Sequence, residues 1–253
     1  MKTTKNWTIS WRESGLAKQR PLRNFGCEKL AIKIDLHVHT RYSIDSLITP
    51  KELVFHARKR GLDGVAVTDH DRLDSALKIA KETEFFIIPG MEITSSNGHI
   101  VALNIQEPVT KRLDADETVD RIHEAGGLAV ACHPTALFKG SLRKHTSSRF
   151  DAIEVINASA FPFSSSVSRA RQFASSLGIA QVAGTDAHYG PEIGCAYTLI
   201  DSNLSIDGVI KAISRRMCQP FGTAIPWKLR LKKEFLMFKE NLGFKNRETG
   251  ENG

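Results

Sequence analysis

Short apolar runs alternate with amphipathic, helix-like segments through most of this chain, and this alternation limits the folds that it can adopt. Seven runs are rich in aliphatic and β-branched residues and have the length of strands covered on both faces. These runs are residues 31–38, 64–68, 85–89, 99–105, 128–132, 152–156 and 180–183. The sequence therefore predicts a sheet that is buried on both sides.

Helix signals stand between many of these runs. Thr49-Pro50-Lys51-Glu52 combines a capping box with proline at the first helical position, and Gly61 marks the end of that helix. Further helices are predicted over residues 72–81, 116–124, 166–177 and 205–216. Strand–helix alternation of this kind indicates parallel βα units, arranged in an open sheet or a closed barrel.

The net charge of +7 is concentrated at the two ends of the chain. Residues 1–30 carry seven basic and two acidic residues, and residues 226–253 carry seven basic and four acidic ones. We therefore predict a basic N-terminal extension (1–30), a nearly neutral central body (31–225) and a basic amphipathic C-terminal tail (226–253). The basic ends suggest contacts with nucleic acid. Within the tail, a helix packed on the body and a basic membrane-surface or nucleic-acid contact are both compatible with the pattern.

The four cysteines form no CxxC pair and suggest no disulfide framework. No apolar run reaches the roughly 18 residues that a membrane-spanning helix requires. The first thirty residues also lack the apolar stretch of a secretory signal. We therefore expect reduced thiols in a cytoplasmic protein without a transmembrane segment, and the sequence leaves the oligomeric state open.

Histidines and carboxylates gather at the ends of the predicted strands, where parallel α/β folds build their active sites. His37 and His39 are two apart and so share one face of a strand, and Glu92 follows the third run across a turn predicted at Pro89-Gly90. The full set is His37, His39, Asp45, His70, Glu92, His99, His133, Asp186 and His188. Imidazole and carboxylate together suit divalent ions such as Zn, Mn or Fe.

Six segments that contain most of these residues resemble, in their order along the chain, the motifs of the PHP (polymerase and histidinol phosphatase) superfamily. They are residues 35–40 (DLHVHT), 42–45 (YSID), 68–70 (TDH), 89–92 (PGME), 132–134 (CHP) and 184–188 (GTDAH). The resemblance implies a distorted (β/α)7 barrel whose metal site lies at the C-terminal ends of the strands. It also implies a trinuclear site that hydrolyses phosphoesters.

The family pattern implies three groups of ligands. His37, His39, Glu92 and Asp186 would hold the first ion. Glu92 would bridge to the second, together with His99 and His133. Asp45, His70 and His188 would hold the third. An aspartate at position 45 resembles the branch that includes phosphoesterases acting on nucleotides and short RNA ends. The long lid insertion of some of those relatives is absent here, because only 41 residues separate Glu92 from His133.

Three further residues are candidates for catalysis or substrate binding. Asp69, like Asp35, adjoins the ligands and would orient imidazole rings, or else form an ordinary strand-end hydrogen bond. Arg143 and Lys144 belong to a basic loop with Lys139, His145 and Arg149, which would bind substrate phosphate or lie in solvent.

The sequence thus predicts a metal-dependent phosphoesterase with divalent ions, three by resemblance, acting on a phosphorylated metabolite, a nucleotide or an oligonucleotide 5′ end. Two alternatives stay open. One is a nucleic-acid-binding protein that uses its basic termini on an inactive scaffold. The other is a histidinol-phosphate phosphatase.

Overall fold

The computed structural model describes the backbone of residues 31–248 and the side chains of residues 31–240. Nine strands in this range are β1 Ala31–Val38, β2 Gly64–Val67, β3 Phe86–Thr94, β4 His99–Leu103, β5 Leu128–Ala131, β6 Ala152–Asn157, β7 Ala180–Gly184, β8 Ala196–Asp201 and β9 Cys218–Gly222. Six α-helices are α1 Pro50–Lys59, α2 Asp74–Glu82, α3 Ala115–Glu124, α4 Phe163–Leu177, α5 Ile206–Ser214 and α6 Trp227–Glu248. Two 3-10 helices span Arg143–His145 and Gly190–Glu192.

All nine strands form one sheet, in the order β7-β6-β5-β4-β3-β2-β1-β8-β9. The sheet curls until the chain after β7 meets the end of β1. There the Asp186 amide donates to the His37 carbonyl at 2.7 Å, and the His39 amide donates to the Ala187 carbonyl at 3.0 Å. The prediction of a distorted α/β barrel is therefore confirmed.

Two apolar clusters hold the barrel together. The larger lies between the sheet and helices α1 to α4, with Leu53 and Ile122 among its fully buried members. The smaller covers the other face of the sheet, where Ile34 and Ile88 lie, and α5 covers it through Val209 and Ile213. Burial on both faces explains why most strands read as continuous apolar runs.

Two features of the predicted sheet were wrong. Pro89-Gly90 is not a turn, because β3 runs on to Thr94 and pairs with β4 from Gly90 onwards. β4 is antiparallel to both neighbours, since a short connection after β3 leaves no room for a crossover helix. The sequence prediction also missed β8 and β9, which extend the sheet beyond β1 with antiparallel pairing.

The helix signals correspond closely to the structure. The capping box at α1 is formed, since the Glu52 amide donates to Thr49 Oγ1 at 3.2 Å and the Thr49 amide donates to Glu52 Oε2 at 3.0 Å. The tail forms α6, and Leu229 packs against the larger cluster. Within residues 31–248 no helix is long and apolar enough to cross a membrane. The predicted extension, 1–30, lies outside the described residues, and the proposed segment boundaries stay predictions.

Candidate metal centre

The nine predicted ligands converge at one end of the barrel, on segments that leave different strands. β1 and the loop after it supply His37, His39 and Asp45, and His70 follows β2. Glu92 lies within β3. The other side chains come from the start of β4 and from the loops after β5 and β7: His99, His133, Asp186 and His188. Six of the nine are buried, whereas Asp45, His70 and His99 are partly exposed.

Glu92 lies at the middle of this cluster. Its Oε2 is 3.3 Å from His37 Nε2, 3.1 Å from His39 Nε2 and 3.2 Å from His70 Nδ1. The extension of β3 beyond Gly90 brings the carboxylate to this place, where an isolated bridge also pairs His70 with Glu92. A strand, rather than the expected turn, therefore positions this carboxylate.

The second oxygen of Glu92 faces two further imidazoles. Oε1 is 2.9 Å from His99 Nδ1 and 2.9 Å from His133 Nε2. The loop after β5 lies directly on His99, because a Cβ at Gly140 would stand 2.4 Å from its ring. Only glycine permits that approach without a shift.

Asp186 and the first two histidines form a compact group with Glu92. Asp186 Oδ1 lies 3.8 Å from His37 Nε2 and 3.4 Å from His39 Nε2. One donor atom from each of the four residues lies within 4.8 Å of the others. Asp186 has a φ of 57°, which is unusual for a residue with a side chain and recurs at functional sites.

A third group lies nearer the surface. Asp45 Oδ2 is 3.1 Å from His188 Nε2 and 3.4 Å from His70 Nε2. The other carboxylate oxygen, Oδ1, is buried without a hydrogen-bond partner among the described residues. A cation beside Asp45 would satisfy that oxygen.

The electrostatics of the cluster favour bound cations. Burial alone would raise the pKa of Glu92, but His37 and its other imidazole neighbours hold it well below its ordinary value. Burial likewise opposes ionisation of Asp186, and Lys139 and His37 outweigh it, so that the pKa again lies well below the usual range. Although burial lowers the pKa of His39, hydrogen bonds to Asp186 and Glu92 raise it to about 9. Glu92 and Asp186 therefore stay charged. Their charge favours either protons on the neighbouring imidazoles or bound metal ions, and the two compete for these ligands.

A carboxylate that the sequence analysis missed supports the ligands from behind. Glu154 on β6 is buried, and its Oε1 lies 3.2 Å from His37 Nδ1. Its Oε2 accepts hydrogen bonds from the His133 amide at 2.8 Å and from Asn157 Nδ2 at 2.9 Å. A single carboxylate within an otherwise apolar buried strand was the signal for this residue.

Asp69 and Asp35 are fully buried, but both bond mainly to groups other than imidazoles. Asp69 accepts hydrogen bonds from Thr40, Ser75 and Ser43 Oγ. Ser43 Oγ in turn lies 3.3 Å from His39 Nδ1, so Asp69 reaches a ligand only through a hydroxyl. Asp35 accepts from the amides of residues 37, 185 and 194, and its burial raises the pKa to about 6.

The basic loop divides into side chains with different surroundings. Lys139 Nζ contacts Asp186 Oδ2 and is largely buried. Arg143 and Lys144 are exposed and line a groove of about 690 Å³ together with Lys139. Arg149 pairs instead with Asp120 on α3. Within this loop, Lys139 is thus the cation that reaches the cluster.

The donor set fits divalent ions. His37 Nε2 and His39 Nε2 face each other at 3.1 Å, with carboxylate oxygens beside both. Convergence of imidazoles and charged carboxylates in a buried site is the chemistry that Zn, Mn and Fe prefer. Among the described residues, Glu92 belongs to three clusters of closely spaced donor atoms, and Asp45, His70 and His188 form a fourth with His39.

Relatives in sequence include proteins with and without a known activity. An uncharacterized protein of Methanocaldococcus jannaschii is 34% identical over 141 residues, which are 50% of this chain and 82% of that protein. The 5′-3′ exoribonuclease Rnm of Salmonella typhimurium is 34% identical over 130 residues, which are 45% of this chain and 43% of that enzyme.

Solved structures share the fold. A two-domain protein of Bacteroides vulgatus, containing a predicted PHP-like metal-dependent phosphoesterase, aligns with a TM-score of 0.64 at 18% identity, over 83% of this chain and 70% of that one. PsfC of Pseudomonas syringae aligns with a TM-score of 0.62 at 16% identity, over 82% of this chain and 98% of that one. The PHP domain matches residues 35–242, which is most of the chain, and this chain therefore belongs to the PHP domain family.

Proposed function

We propose that this chain is a metal-dependent phosphoesterase that cleaves phosphoester bonds of a small phosphorylated metabolite, a nucleotide or an oligonucleotide 5′ end. The observation that carries the proposal is the convergence of five imidazoles on the two oxygens of one buried carboxylate, Glu92. Membership of the PHP domain family supports it.

Three groups of residues would hold three divalent ions, of Mn, Zn or Fe. His37, His39, Glu92 and Asp186 would hold one, and Glu92 would share a second with His99 and His133. Asp45, His70 and His188 would hold the third. When bound, such ions neutralise phosphate charge and lower the pKa of coordinated water.

The protein's own groups would then bind and orient. Glu154 fixes the ring of His37 and the backbone at His133. Asp69, through Ser43, holds the loop that carries His39. Lys139 stands at the edge of the cluster with its side chain 23% exposed, so a phosphate oxygen can exchange for Asp186 at its ammonium group.

Replacing Lys139 with methionine should raise KM for a phosphomonoester about tenfold or more, with a smaller effect on kcat, because a charge-assisted hydrogen bond is worth about 1.5–3 kcal/mol. Steady-state kinetics with the metal-loaded enzyme measures this. Lys81→Met, at an exposed lysine at the end of α2, serves as the matched control. Unchanged KM in Lys139→Met would remove this residue from the substrate site.

Metal removal tests the proposed function directly. Chelation followed by desalting should abolish hydrolysis of a generic phosphomonoester, and Mn²⁺, Zn²⁺ or Fe²⁺ should restore it. Metal content is measured on the same samples. Full activity in protein shown to be metal-free would refute the proposal.

A substrate panel separates the activities within this class. The resemblance to the Salmonella exoribonuclease, whose length this chain matches over 43%, supports oligonucleotide 5′ ends. Phosphomonoesters, nucleoside bisphosphates, histidinol phosphate and short 5′-phosphorylated RNA should be compared under one metal condition. Release of mononucleotides from RNA distinguishes exonuclease action from release of phosphate alone.

A further inference from the structure

Helix α6 presents an apolar stripe to solvent. Trp227, Leu231, Phe235 and Phe238 are between 58% and 68% exposed. Their spacing of four, four and three residues places them on one side of the helix, within an arc of about 80°. We refer to these four residues as the α6 stripe. Four large apolar side chains aligned in this way are unusual on a surface that contacts only water.

The opposite side of α6 accounts for its attachment to the barrel. Leu229 packs against the larger apolar cluster, and Leu236 and Met237 are partly buried. Arg230 anchors the start of the helix by donating to the carbonyl oxygens of Ala158 and Ser159. The helix is therefore already packed on one side, and the stripe is a second apolar face.

Lysines line one edge of the stripe. Lys228, Lys232 and Lys239 are exposed and lie beside the stripe on the helix surface. On the other edge, Glu234 pairs with Lys233 at 3.3 Å. Trp, Phe and Leu on one face with lysines beside them are the pattern of a helix that lies in a membrane interface.

The apolar surface continues from the stripe towards the metal centre. The rings of Trp227 and Phe161 meet edge to face at 6.4 Å. The Leu137 amide donates to the Phe161 carbonyl, and the adjacent Phe138 is 91% exposed. Lys139 follows directly. Contacts through Phe161 thus connect the stripe to the loop that carries Lys139.

Charge distinguishes between the possible occupants of this surface. Residues 1–30 carry seven basic and two acidic residues, so the lysine row would repel them. In an antiparallel pair of two copies, like edges of the helices face each other, which brings the lysine rows together. An anionic lipid surface attracts the lysines and accepts the apolar stripe.

We propose that the α6 stripe and its lysine row form a docking surface for an anionic membrane. The helix lies in the interface and does not cross the bilayer. This inference goes beyond the proposed hydrolase activity and does not depend on it.

Vesicle co-sedimentation of the full chain tests the proposal. The chain should sediment with vesicles containing phosphatidylglycerol, and less with pure phosphatidylcholine or at about 0.5 M salt, where the Debye length is short. Phe235→Asp and Leu231→Asp should each weaken binding about tenfold or more, because a charge must enter the interface. Lys228→Glu with Lys239→Glu should weaken binding to the anionic vesicles in particular.

Phe55→Asp is the matched control, since Phe55 is 60% exposed and belongs to α1 rather than to the stripe. Phe55→Asp should bind vesicles as strongly as the unmodified chain does. All variants should keep the melting temperature of the unmodified chain. Equal vesicle binding by Phe235→Asp would overturn the proposal. Absence of vesicle binding would also overturn it. In that case a dimer or an RNA complex that Phe235→Asp disrupts would identify the other occupant.

Discussion

Replacing Glu92 with glutamine is expected to lower phosphomonoester hydrolysis by at least about 10³-fold, which corresponds to about 4 kcal/mol of lost transition-state stabilisation. The two oxygens of Glu92 face five imidazoles within 3.3 Å. Glutamine keeps the shape but removes the negative charge and replaces one acceptor with an N–H₂ donor. The proposed first and second ions would lose their shared ligand. Metal content and kcat/KM measure the two effects together.

Glu84→Gln is the control for this change, because Glu84 is exposed and precedes β3, whereas Glu92 lies near the other end of that strand. His37→Ala and Asp186→Ala should lose activity as Glu92→Gln does, and circular dichroism checks that each variant remains folded. Retained activity in a folded Glu92→Gln protein would show that catalysis does not use this cluster.

The sequence predicted the presence of strands β1 to β7, because each of them carries its own apolar run. β1 was predicted over 31–38 and is found at Ala31–Val38. The pairing of the strands was harder to predict, because a local pattern does not reveal a strand's neighbour. Pro89-Gly90 reads as a turn in isolation. In the sheet, Gly90 is needed because a Cβ there would lie 2.5 Å from the carbonyl oxygen of Ala102 on β4.

The candidate site shows the same difference between local features, which the sequence predicted, and contacts between distant segments, which it did not. Histidines at strand ends were found because their position relative to each strand is a local property. The contact between Lys139 and Asp186 depends on the path of a loop across the barrel, and the sequence did not separate Lys139 from Arg143 and Lys144. Glu154 was overlooked because its strand reads as apolar, although a buried carboxylate requires partners.

Replacing Glu154 with leucine should destabilise the protein by about 3–5 kcal/mol, as expected when one member of a buried charged network is removed. The change leaves the His133 amide without its acceptor and His37 Nδ1 without its partner, and it removes one of the two acceptors of Asn157 Nδ2. Denaturant unfolding measures the loss. Glu124→Leu, at an exposed ion pair with Arg121, should change stability by less than about 1 kcal/mol.

A milder variant separates support of the ligands from stability. Glu154→Gln keeps the size of the side chain and one acceptor oxygen, so we expect it to fold. Loss of the carboxylate behind His37 should still weaken metal binding about 10- to 100-fold, since such partners set the orientation and basicity of a ligating imidazole. Competition with a chelator of known affinity measures this. Unaltered metal affinity in Glu154→Gln would mean that Glu154 serves the fold alone, because its hydrogen bonds to the backbone at His133 and to Asn157 would then explain its burial.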